Sequence, residues 1–88
     1  MKTTDSQDLI IQVGNISIGS NIREIRLSKG IKQVDMVARL QLKGLEISVY
    51  SYNRIEKGTQ NPTVIFLSLI CDILDCDFND IFRGSSSQ

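Results

Sequence analysis

Apolar residues recur at helical spacing along most of this chain, and each run closes on a glycine, a proline or a residue able to cap a helix. Ile22 and Ile25, followed by Lys29-Gly30, predict a first helix that starts near Ser20 or Asn21 and stops at Gly30. Met36, Val37 and Leu40 form one face of a second helix, which begins at Gln33 and runs to Lys43, where Gly44 supplies a left-handed stop. Ser48 is placed to cap a third helix over 49–57, because its hydroxyl accepts from a backbone N–H left free in the first turn. Gly58 ends that helix. Within it Tyr52 and Ile55 point inward, leaving Val49, Tyr50, Asn53 and Arg54 outward. Thr63 caps a fourth helix whose Phe66, Leu67, Leu69, Ile70, Ile73 and Leu74 are apolar on most sides, which predicts the central helix. Val64 and Ile65 exceed what one core needs and point to a subunit contact. Asp77 caps a last short helix through Phe78, Ile81 and Phe82.

The ends break this pattern. Leu9–Ile18 is β-branched and apolar, interrupted by the turn signal Gly14-Asn15. It predicts a short β hairpin or arm lying on a neighbour or on the protein's own body, since an isolated hairpin is marginal in water. The expected organisation is an arm over 1–18, a folded domain over 19–83 and a flexible tail over 84–88. The expected fold class is all-α, five helices with a short N-terminal β arm.

Eighty-eight residues with 41 % apolar content suffice for one small core. No apolar run approaches the ~18 residues of a membrane span. The N-terminus lacks the basic-then-apolar order of a secretory signal, so a cytoplasmic protein is expected. Cys71 and Cys76 lie at no metal-ligand spacing and the chain has no histidine, so neither a metal site nor any other cofactor is expected. Both thiols read as small hydrophobes of the core. Without histidine, nucleophilic and general-base schemes have few players, and an enzyme is not expected. Net charge is zero, yet residues 20–61 carry +4, the segment from Pro62 carries −3 and the first nineteen residues −1. A basic half and an acidic half suit a protein with one phosphate-facing side.

Gln33-Val-Asp-Met-Val-Ala, then Ile47-Ser-Val-Tyr-Ser-Tyr-Asn-Arg-Ile-Glu-Lys-Gly58, then Asn61-Pro62, lays out a short helix, a turn and a second short helix. That is the arrangement of a helix-turn-helix, whose second helix enters the DNA major groove. With Ile18-Gly19, Ile22-Arg-Glu-Ile-Arg26, Gly30-Ile-Lys-Gln33, Phe66, Leu69, Leu74-Asp75 and Ile81-Phe82, the chain from about Ile18 to Phe82 resembles the lambda-repressor-like DNA-binding domains of phage repressors, the Cro/cI or XRE-type family.

The resemblance implies roles for particular residues. Gln33, opening the second helix, resembles a side chain that bonds a DNA phosphate at the positive helix terminus. Ser48, Val49, Tyr50, Ser51 and Arg54 fall on groove-facing positions, with Asn53 at their edge. Arg54 has the fork to read guanine O6 and N7, Val49 fits a thymine methyl, and Tyr50 suits a phosphate or base edge. Lys57, Thr59, Gln60 and Asn61 follow where relatives hold the backbone and set register. Arg26 and Glu56 match a structural ion pair tying the first helix to the third. The span from Gln33 to Glu56 is about five residues longer than the family's common spacing, and the excess fits a longer second helix and turn over 40–47, which preserves the angle between the helices if it projects away from DNA. The implied function is a sequence-specific transcriptional regulator, a repressor, binding a palindromic operator on double-stranded DNA as a homodimer. The alternative is a protein-interaction module on the same fold, such as an antitoxin or anti-repressor, that binds a protein partner through the 9–18 arm or Val64–Ile65.

Overall fold

A computed structural model describes residues 17–83, which form five helices: α1 (Ile18–Ser28), α2 (Gln33–Leu42), α3 (Val49–Lys57), α4 (Val64–Leu74) and α5 (Phe78–Ile81). The architecture is all-helical among the described residues. The predicted arm lies outside them except for its last two positions, and so does the 84–88 tail.

Helix α1 starts ahead of the expected Ser20. Ser17 makes no side-chain cap bond, so nothing local announces the start. Tertiary packing sets it instead: Ile18 is buried in the core, and Gly19 lies so close to α3 that a Cβ there would meet the Ile55 carbonyl oxygen at 2.2 Å. Asn21, expected at the helix start, is buried within α1. Its Nδ2 donates to the carbonyls of Ile81 at 2.7 Å and Arg83 at 2.9 Å, which ties the end of α5 to α1 and satisfies two acceptors at the C-terminal end of that helix.

The remaining ends follow local chemistry. The Ser48 hydroxyl accepts from the Ser51 N–H at 3.0 Å, and that of Thr63 from the Phe66 N–H at 3.0 Å. Asp77 and Asp80 cap each other's backbone N–H groups at 3.0 Å, a reciprocal box that starts the four-residue α5. Gly58 adopts φ 82°, the left-handed conformation that lets the chain leave α3 at once.

The core gathers Ile18, Ile22, Met36, Val37, Leu40, Tyr52, Ile55, Phe66, Leu67, Ile70, Leu74 and Ile81. Helix α1 packs on α3, α4 and α5, whereas α4 packs mainly on α2 and α1. The hub is therefore α1 rather than the more apolar α4. Leu69 and Ile73 of α4 are only partly buried, because a helix apolar on most sides still meets the body along one face. The long α2–α3 connection is held in place: Gln41 Nε2 donates to the Ile47 carbonyl at 2.9 Å, and Leu45 and Ile47 pack against the core. Lys43 at its start pairs with Asp72 of α4 at 2.7 Å, an exposed pair worth about 0–1 kcal/mol.

Candidate nucleic-acid interface

Tyr52, Ile55 and Glu56 hold α3 to the body, and of the three Glu56 alone is charged. Its carboxylate takes a two-pronged bond from Arg26 of α1, Nε to Oε2 at 2.7 Å and Nη2 to Oε1 at 3.0 Å, with both side chains almost fully buried. This is the pair the resemblance implied. Arg26 also donates from Nη1 to the Ile31 carbonyl at 2.8 Å, so one guanidinium joins α1, the α1–α2 turn and α3. Burial alone would push the Glu56 carboxyl up, but the bonds from Arg26 and Gln33, with the Tyr52 hydroxyl close by, outweigh it and hold it below the usual carboxylate range. The same Glu56 bond raises Arg26. The Tyr52 hydroxyl is buried beside this carboxylate without a hydrogen-bond partner of good geometry among the described residues, and burial chiefly raises its pKa.

Gln33 extends the network. Its Nε2 donates to Glu56 Oε1 at 3.0 Å, and its Oε1 accepts from Asn53 Nδ2 at 3.3 Å. Four side chains, Arg26, Glu56, Gln33 and Asn53, thus run from α1 through α2 and α3. Asn53, expected outward, is half-buried and turned toward Gln33. Sequence spacing gave no sign of this link, since the two residues lie on different helices.

The outward row of α3 begins at Ser48, whose hydroxyl is occupied by the cap, and continues with Val49 at 40 % exposure and Tyr50 at 71 %. Arg54, four residues on, is half-buried: its guanidinium carbon stands 5.6 Å from the centre of the Tyr50 ring, and its Nη2 donates to the Thr59 carbonyl at 3.2 Å. Thr59 returns a bond from Oγ1 to the Arg54 carbonyl at 3.3 Å. Lys57 is exposed, while Ser51, Gln60 and Asn61 are half-buried. The last three line an open groove between the α2–α3 connection, α3 and the start of α4. The expected residues therefore divide among an outward row on α3, a groove beside it lined by Ser51, Gln60 and Asn61, and a bonded network behind it that holds Gln33 and Asn53.

Charge follows a simpler division. Among the bases of residues 20–61, Arg26 is neutralised by Glu56 and Lys43 is paired with Asp72, whereas Arg23, Lys29, Lys32, Arg39 and Lys57 are exposed. No group of three or more Cys, Asp or Glu side chains among the described residues is placed to hold a metal ion. Cys71 and Cys76 are free and half-buried against the core, and burial pushes the Cys71 thiol up to about 12. No helix there is long and apolar enough to cross a membrane.

Helices α2 and α3, consecutive in the chain and bonded through Gln33, Glu56 and Asn53, with the outer face of α3 open to solvent, have the layout of a helix-turn-helix. The family profile described as helix-turn-helix matches residues 22–81. The chain belongs to that family, in its XRE-type, Cro/cI-like form, which places it among DNA-binding transcriptional regulators. No curated protein and no solved structure gives a significant match.

Proposed function

We propose that this protein is a sequence-specific regulator, a repressor, that binds a palindromic operator as a homodimer and reads each half-site with α3. The observation that supports this most directly is the division of α3 into a buried side fixed by Glu56 and an outward row in which Val49 and Tyr50 are exposed and Arg54 is half-buried. On this reading Arg54 meets a guanine, Val49 meets a thymine methyl, and Lys57, Thr59, Gln60 and Asn61 hold the phosphate backbone. Gln33 orients α3 from behind and offers its remaining amide hydrogen, beside the α2 terminus, to a phosphate. One reading helix covers only a few base pairs. Two of them about 34 Å apart supply the address a regulator needs.

Selection from randomised duplexes should return an inverted repeat. Native mass spectrometry on that repeat should give two protein chains per duplex, and a single half-site should bind far more weakly. A one-to-one complex of equal affinity on single and double half-sites would remove the dimer.

Exposed apolar side chains support a second reading. Val64 and Ile65 on α4, and Phe78 and Phe82 with ring centres 6.0 Å apart, stand 36–49 % exposed. They suit a contact with a second copy or with a protein partner.

A further inference from the structure

We infer that Tyr50 is the positioning residue for Arg54: its ring is a platform that holds the guanidinium in its reading orientation before DNA arrives. The proposal rests on the DNA-binding reading above and deepens it. Tyr50 and Arg54 stand four apart on α3, so their side chains share one strip of the helix surface. The guanidinium carbon lies 5.6 Å from the ring centre, within the range of a cation over an aromatic face. The guanidinium is also held by the Nη2 bond to the Thr59 carbonyl at 3.2 Å, and Thr59 is itself bonded back to the Arg54 carbonyl through its N–H at 3.0 Å. Held by ring and loop, the side chain has already given up much of the rotamer freedom that an arginine loses on binding. Its guanidinium carries five N–H donors, and those not used by Thr59 stay available for guanine O6 and N7.

Tyr50 itself is 71 % exposed and lies outside the core cluster, so its removal leaves the fold intact. The phenol hydroxyl has no part in the contact. A phenylalanine therefore does the same work, which separates this role from a hydrogen bond between Tyr50 and a phosphate or base.

The test has two arms on the full chain. Without DNA, NMR of the Arg54 side chain should show ring-current shifts in the wild type and in Tyr50→Phe that disappear in Tyr50→Ala. With DNA, anisotropy titrations over duplexes varied one base pair at a time should show Tyr50→Ala binding about 2- to 5-fold more weakly, the worth of an exposed cation–ring contact. Its preference should flatten at the same base pair that Arg54→Ala flattens. Tyr50→Phe should match the wild type, and the double variant should be no worse than Arg54→Ala alone. The proposal is overturned if the shifts are absent in the wild type, if Tyr50→Phe loses as much as Tyr50→Ala, or if Tyr50→Ala alters a different base pair. Should the shifts be present while the wild type binds no duplex selectively, the DNA reading fails and this role falls with it.

Discussion

Glu56→Ala is expected to destabilise the domain by about 3–5 kcal/mol, the usual cost of stranding one partner of a buried ion pair. The variant leaves Arg26 about 5 % exposed with only the Ile31 carbonyl to bond, and it removes the acceptor for Gln33 Nε2. Urea denaturation of wild type and variant measures the difference directly. A loss below about 1 kcal/mol would mean that the pair behaves like a surface contact. Replacing both partners, Arg26→Met with Glu56→Leu, should recover much of the loss, because what costs most is the unpaired charge rather than the absence of the bond. The same carboxylate gives the stability a pH dependence of defined sign. Its folded pKa is lowered from 4.5, so its contribution is present above that value and is lost as pH falls through the lower folded value. The gap in stability between wild type and Glu56→Gln should therefore shrink on acidification below pH 4.5.

Gly19→Ala is expected to destabilise by about 1–3 kcal/mol or more, although alanine ordinarily stabilises a helix by roughly 1 kcal/mol over glycine. The sign reverses because the added Cβ would stand 2.2 Å from the Ile55 carbonyl oxygen, 2.6 Å from that of Glu56 and 2.8 Å from the Glu56 carbonyl carbon. These are backbone atoms of α3, so no side chain can swing aside. Relief requires α1 and α3 to separate, which also loosens the Arg26–Glu56 pair and tilts the outward row. Ser20→Ala, one residue on and exposed, should stay within about 0.5 kcal/mol of wild type. A thermal melt of Gly19→Ala at or above the wild-type midpoint would show that the two helices do not approach this closely.

Most of the helical frame was legible because its ends are set by local chemistry. Ser48, Thr63 and Asp77 cap as their side chains predict, and Gly58 ends α3 where only a left-handed residue lets the chain turn. The start of α1 was not legible: Ile18-Gly19 has no capping bond and is placed by contact with α3, a partner some 36 positions away in the chain. The β-branched run before it lies outside the described residues except for Ser17 and Ile18. At the candidate interface, the Arg26–Glu56 pair was available from the family pattern, and the outward placement of Val49 and Tyr50 from helical spacing. The inward turn of Gln33 and Asn53 was not, since a hydrogen bond across helices depends on their crossing geometry. Nor was the clasp of Asn21 on the end of α5, which joins residues at opposite ends of the domain.

The central claim, that the outward row of α3 reads base sequence, is tested most directly by fluorescence anisotropy of labelled duplexes titrated at several salt concentrations, with Arg54→Ala alongside. The account predicts submicromolar, sequence-selective binding by the wild type that falls steeply with salt. It predicts a loss of about 1–3 kcal/mol in Arg54→Ala, concentrated at one base pair of each half-site. Equal binding by wild type and variant on every duplex, selective or not, would contradict it.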